Sequence, residues 1–453
     1  MPPQHASPTH PLNRPYRTLL TCFVSWKLIL FAIVLGSSLA GDAYDTSAEL
    51  VVHGGGSVGQ IHGSTSGGGG GLGIGGLVSR LSSWDAIYFV TAARRGYRFE
   101  QEWAFGAGLP FVVRCLLRGL EHLGIVSPSA ADEGGVVPEA LAGIAVANTA
   151  HLLSALVLYR LGQVVWRDQT LSLVAALLHI FSPAGLFLSA PYAESSFALL
   201  SFSGYLLFAL GCRAERSPTR RDLYTVLAGV LFGLATAFRS NGLLNGAPFA
   251  WEVVRHLPNL PRRPTDTLRR LVALGVGGVC VAAGSIGPQA AAYLRFCSGA
   301  SGAVPRPWCQ GYLPSIYTFV QERYWNTGFL RYWTAPNLPL FMLATPMLMI
   351  LVKSGLERLT DRRFPVADKP AESARLLSLV QSTAAAQVLL AVLAATTYHV
   401  QIITRISSGY PLWYWWLAGS VIRGEKTGTR NVMFMIIYAT IQAVLFSSFL
   451  PPA

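Results

Sequence analysis

Charge is scarce in this chain of 453 residues: only 13% of them are Asp, Glu, Lys or Arg, about half of the roughly 25% that an average soluble domain carries. That shortage excludes a conventional water-soluble domain as the bulk of the molecule. Cysteine is scarce too, with six in all, too few for a disulfide framework to hold so long a chain. Catalytic signatures are also missing. No His-Glu-x-x-His, paired Cys-x-x-Cys, Walker lysine or Gly-x-Ser-x-Gly elbow occurs in the context that each requires, so zinc, nucleotide and serine-hydrolase chemistry find no carrier and no metal is expected.

What the chain has in abundance is apolar sequence, 52% of its residues, with a mean hydropathy of +0.42. Several runs reach about 20 residues with few charges, enough to cross roughly 30 Å of hydrocarbon. The net charge of +13 does not point to nucleic acid, because the basic residues sit in short loops between apolar runs. That is the distribution by which Lys and Arg mark the cytosolic side of a membrane protein. The marked loops are 213–222 with Arg213, Arg216, Arg220 and Arg221, then 255–270, 353–375 and 423–430.

Fixing those loops in the cytosol forces the intervening segments to cross an even number of times. A cytosolic N-terminus over 1–17 leads into a first span over 18–40, interrupted by Lys27 and too long for a signal-peptide core. Residues 41–137 then form a lumenal loop. It holds a flexible spacer over 54–76, in which thirteen of 23 residues are glycine, and a membrane-surface helix over Phe105–Leu123. Spans follow at 139–165, 170–189 and 194–212, then a pair of short helices within 223–254 broken at Phe238–Gly242, and a span at 271–293. An aromatic lumenal loop over 294–335 precedes spans near 336–352, 377–397, 409–422 and 432–449. The expectation is an all-α polytopic membrane protein with about eleven transmembrane helices and a lumenal C-terminus.

This topology gathers four polar elements on one face: Ser83-Trp84-Asp85-Ala86, Tyr192 with Glu194, Arg239 with Asn241, and His399 to Arg405. Ionisable groups at the ends of spans are costly unless they pair, meet water or do chemistry. Asp85 suits a general base or a cap for the helix that starts near Ala86. Glu194 suits a second carboxylate or a first-turn acid favoured by the helix dipole. Arg239 and Arg405 suit phosphate or an acidic partner, and the tyrosines and tryptophans of the aromatic loop suit either sugars or the membrane interface. Cys297 and Cys309, twelve residues apart, lie where a bridge would persist, and the bridged and free states both stay open.

Six ordered motifs resemble the GPI mannosyltransferase 2 (PIG-V) family. They are Trp84-Asp85-Ala86 through Phe89, Gly96-Tyr97, Glu100 and Ala104-Phe105; Pro183-Ala184-Gly185 to Tyr192 and Glu194-Ser195; Phe238 to Gly242; Pro307-Trp308-Cys309; Tyr324-Trp325-Asn326 with Gly328 to Trp333; and His399-Val400-Gln401 with Thr404-Arg405. The resemblance implies a GT-C type glycosyltransferase of the endoplasmic reticulum membrane. Such an enzyme moves mannose from dolichyl phosphate mannose to a GPI-anchor precursor through an α-1,6 bond, with inversion, no cofactor and, in some members, a small membrane partner subunit. It also implies Asp85 as catalytic base, with Trp84, Glu100, Tyr192, Glu194, Arg239, Asn241, Trp325, Asn326, Arg331, His399, Gln401 and Arg405 around the substrates. The glycine spacer departs from the family pattern, and so does Gly106-Ala107-Gly108 where Phe-Pro is expected. Rival expectations are a GT-C enzyme for another acceptor, of the kind that shows an acidic pair in the first lumenal loop, and a lipid or sugar transporter.

Overall fold

The computed structural model describes residues 14–41, 43–44, 47, 74–126, 135–214, 217–298, 306–361 and 370–450. Most of the glycine spacer lies outside the described residues, and its last three positions open a helix. In chain order the helices begin with α1 Pro15–Ala40, α2 Ile74–Leu81, α3 Ala86–Arg95, α4 Gly108–His122 and α5 Val137–Trp166. Next come α6 Gln169–Ile180, α7 Glu194–Arg213, α8 Pro218–Phe238, α9 Ala247–His256 and α10 Pro264–Phe296. The series ends with α11 Ile316–Trp325, α12 Leu338–Thr360, α13 Pro370–Thr396, α14 Leu412–Ile422 and α15 Lys426–Ser447.

Among the described residues, eight helices are long and apolar enough to cross a membrane: α1, α5, α7, α8, α10, α12, α13 and α15. The other three of the eleven expected crossings contain helices of only 10 to 12 residues, α6, α9 and α14. At about 1.5 Å per residue these reach roughly 15–18 Å, half of the hydrocarbon thickness. Each has a local cause. Asp168 starts α6 by accepting from Leu171 N at 2.9 Å. Pro183 and the left-handed Gly185 (φ 47°) then prevent the helix from continuing to residue 189. Between α8 and α9 the chain makes a 3-10 segment over Ser240–Gly246, so the expected short pair is one full span and one short helix. Pro411 precedes α14 and Gly424 (φ 68°) follows it.

Short helices are tolerated at membrane depth where protein rather than lipid surrounds them. Every residue from Leu412 to Ala418 is buried, and Trp413, Tyr414, Phe197 and Phe202 form the centre of one large core. By contrast α4 is amphipathic, with Leu109 and Val113 packed inward and Phe111, Cys115 and Leu116 outward. The basic loops collect at one end of the bundle. There Glu372 holds Arg167 and Arg213, both at 2.9 Å, and Asp222 holds Arg221 at 3.0 Å, Arg269 at 2.9 Å and Arg270 at 3.6 Å. The four polar elements singled out in the sequence meet at the other end.

Candidate active site

Trp84 starts the site. Its backbone stands at φ 60°, the left-handed region that is strained for a bulky residue, and its indole stacks on Phe449 with centroids 5.0 Å apart. The turn leaves Asp85 at the head of α3, yet its carboxylate makes no capping bond to that helix. Instead Asp85 Oδ2 accepts from Arg405 Nη1 at 3.3 Å and Nη2 at 3.4 Å. Between the two readings of Asp85, the structure excludes the cap.

Arg405 is the hub. Its Nε donates to Glu194 Oε1 at 2.9 Å, and the same oxygen receives Arg239 Nη1 at 2.6 Å. The guanidinium lies over the rings of Phe187, at 4.3 Å, and Tyr192, at 4.8 Å, an arrangement in which the ring quadrupoles attract the cation. Burial alone would depress the Arg405 pKa, but Glu194 and then Asp85 hold it above its ordinary value. Glu194 is completely buried. It therefore serves as the anionic anchor of both arginines, with no surface left to meet a sugar. Two carboxylates and two guanidiniums make the cluster neutral. His399, half-buried at its edge, has its pKa lowered by burial, partly offset by Asp85.

Beside this cluster is a cavity of about 200 Å³, lined by Asp85, Arg239, Asn241, Trp325, His399 and Arg405 among the expected residues. Phe89, Phe105, Phe238, Ser240, Tyr317, Gln321 and Tyr398 also line it, and none of these was singled out beforehand as a site residue. Phe89, Phe105 and Phe238 belong to the ordered motifs and Tyr317 to the aromatic loop, but neither signal assigned them a role. Drug-sized ligands occupy roughly 300–1,000 Å³, so this space suits a single small group.

The remaining expected residues lie behind or beside the cavity. Tyr192, fully buried, donates to the Ser83 carbonyl at 3.2 Å and so holds the turn that carries Asp85. Gln401 accepts from Tyr332 at 3.3 Å, and Tyr332 packs its edge on His399 at 4.8 Å. Glu100 accepts from Trp308 Nε1 at 2.9 Å. It tethers the first loop to the aromatic loop, where Cys297 and Cys309 are joined with Cα atoms 5.6 Å apart. Asn326 caps α11 in a left-handed conformation (φ 49°), and Arg331 is exposed away from the cavity. Glu102 is buried and paired with Arg95 at 2.5 Å. Burial would raise its pKa, but Arg95 and the backbone N–H groups of Phe99 and Arg98 hold it low. Asp85 is thus the first-loop carboxylate that reaches the cavity among the described residues.

The departure at Gly106-Ala107-Gly108 has a steric explanation. A Cβ on Gly106 would stand 2.0 Å from the Phe238 carbonyl oxygen, and one on Gly108 would stand 2.3 Å from the Phe238 ring. Glycine lets the first loop lie directly on the end of α8, which brings Phe105 and Phe238 into one cavity wall.

A bundle of membrane-length helices with a cluster of carboxylates and guanidiniums next to a small cavity defines a multi-pass membrane protein. Comparison with known proteins narrows the class. The family model described as Mannosyltransferase (PIG-V) matches residues 73–453. GPI mannosyltransferase 2 of Chaetomium globosum is 70% identical, covering 100% of both chains. That of Gibberella zeae is 44% identical over 97% of this chain and 98% of its own. GPI alpha-1,6-mannosyltransferase 2 of Mus musculus is 32% identical over 76% and 73%. The chain belongs to the PIG-V mannosyltransferase family. Among solved structures, the Archaeoglobus fulgidus oligosaccharyltransferase tethered with an acceptor peptide aligns over 94% of this chain and 56% of its own, with a TM-score of 0.44 and 13% identity.

Proposed function

We propose that this chain transfers the second mannose, through an α-1,6 bond, from dolichyl phosphate mannose to the GPI-anchor precursor, on the lumenal side of the endoplasmic reticulum membrane, as a GT-C type enzyme. The observation that carries the mechanism is the cluster of Asp85, Arg405, Glu194 and Arg239 at the mouth of the small cavity. The mannosyl group enters the cavity against Trp325 and Phe105. The donor phosphate lies toward Arg239 and Arg405. The basic loops at the opposite end face the cytosol, which leaves the cluster lumenal.

The acceptor hydroxyl attacks the anomeric carbon while its proton passes to Asp85. The electron pair of the breaking C–O bond goes to the phosphate oxygen, and dolichyl phosphate leaves with one more negative charge. Guanidiniums fixed in advance offset that charge as it develops, the kind of preorganised electrostatics that lowers a barrier most. The donor is β-linked, so one displacement gives the α product and one base suffices. No acid is needed for the leaving group.

The test is to express the wild-type chain and Asp85→Ala in cells lacking the family's enzyme and to identify the GPI intermediate that accumulates. Clearance of the one-mannose intermediate by wild type, and its persistence with Asp85→Ala at equal expression, is the expected result. A wild-type chain that inserts correctly yet leaves that intermediate would assign it a different acceptor. Normal turnover by Asp85→Asn would remove Asp85 from the chemistry.

A further inference from the structure

Lys27 sits at the middle of α1, among the most costly residues to place at the centre of a membrane helix. It is buried, and no acidic side chain pairs with it among the described residues. Its Nζ donates to the Leu188 carbonyl at 3.2 Å and to Ser189 Oγ at 2.6 Å, and lies 5.2 Å from the Phe23 ring. These acceptors belong to the tight turn Gly185–Ser189, which is the segment that carries Phe187. Other elements hold the same turn: Ser195 of α7 donates to the Leu188 carbonyl at 2.9 Å, and Asn148 of α5 to the Ser189 carbonyl at 3.1 Å. Phe187 in turn is the ring 4.3 Å beneath the Arg405 guanidinium, wedged against Tyr192 at 5.1 Å and Phe446 at 5.2 Å.

We infer that Lys27 is a positioning residue of the active site. Through the Leu188–Ser189 turn it fixes the height of the Phe187 ring, and that ring fixes where Arg405 presents its guanidinium between Glu194 and Asp85. The amine suits this task because it donates to two acceptors of the turn at once, in a buried place away from water. A neutral aliphatic side chain of equal length would fill the space, leave Ser189 Oγ without its donor and leave the Leu188 carbonyl with Ser195 alone. The consequence is local to the turn. Helix α1 would still insert, and with less difficulty, since the buried amine is gone.

The inference rests on the proposed role of Arg405 toward the donor phosphate, and a double-mutant cycle separates the two. Steady-state transfer from labelled dolichyl phosphate mannose would be measured in membranes carrying wild type, Lys27→Met, Arg405→Lys and the double variant, each normalised to folded protein. Lys27→Met is expected to lower kcat/KM for the donor by roughly 3- to 30-fold, the size of a coupling carried through packed side chains. In the Arg405→Lys background the same change should cost almost nothing, because the group it positions is already altered. An equal loss in both backgrounds, or normal kinetics for Lys27→Met beside an impaired Arg405→Lys, would overturn the positioning role alone. Normal donor kinetics for Arg405→Lys would overturn the reading of Arg405 and the inference with it. Should Lys27→Met not accumulate, Lys27→Gln, which keeps a donor for the turn, replaces it in the cycle. Gln is then expected to retain most of the activity, and failure to do so in folded protein counts against the proposal.

Discussion

Replacing Glu194 by Gln isolates the anchor of the site. The carboxylate is completely buried, and one of its oxygens receives both Arg405 at 2.9 Å and Arg239 at 2.6 Å. Breaking a buried ion pair by removing one partner costs about 3–5 kcal/mol, because a buried charge is left uncompensated. Here the cost is smaller for two reasons. Arg405 keeps Asp85 at 3.3 Å, and the Arg239 side chain is 16% exposed and so partly solvated. A loss of about 2–3 kcal/mol is expected from that reasoning. If the arginines serve donor binding, it appears as a rise in donor KM of about 30- to 150-fold, at roughly 1.4 kcal/mol per tenfold. The assay is steady-state mannose transfer with the donor varied, together with a thermal melt of the detergent-purified protein. A purely structural role for Glu194 would lower the melting temperature and the folded fraction while the surviving enzyme kept its donor KM. Glu194→Gln with donor KM within about twofold of wild type would refute the reasoning, since that is under 0.5 kcal/mol.

Gly106→Ala should destabilise the protein at or above the upper end of the about 1–3 kcal/mol of an overpacked site, because its Cβ meets the rigid Phe238 carbonyl; a lowered melting temperature checks it. The lowered pKa of His399 means that the unfolded chain takes up a proton at higher pH than the folded one. Stability from this group is therefore full above its ordinary value of about 6.5 and is lost as pH falls below it; melts across pH should show that slope, and His399→Gln should flatten it. Cys309→Ser opens a bridge whose cysteines are 12 residues apart, and about 2–3 kcal/mol of loop ordering should go with it. Peptide mapping that finds both thiols free in the wild type would remove that expectation.

Much of the site was legible because membrane topology is a strong constraint. Once the arginine-rich loops are assigned to one side, Asp85, Glu194, Arg239 and His399 to Arg405 have only one side left, and the structure does bring them to one end of the bundle. The roles within the cluster were not legible. A sequence shows that Glu194 opens a helix, but not that the helix is turned to bury it under two guanidiniums. Nor does it show that Asp85 passes over the cap to meet a residue 320 positions later. Helix length within the crossings was not legible either: hydropathy registers α6, α9 and α14 as apolar but does not show that each is only 10 to 12 residues long.

The amino-acid sequence by itself determined the class of molecule, the existence of the long spans and the gathering of the polar motifs at one end. Those follow from composition and local pattern, because hydrocarbon penalises every exposed charge and every unpaired backbone group in the same way wherever they occur. Only the tertiary structure decided which carboxylate faces the cavity and which anchors the arginines, why glycine stands at 106, and what Lys27 holds. Each of these depends on contacts between segments far apart in the chain, set by how helices rotate and pack against one another, and no single segment encodes that rotation.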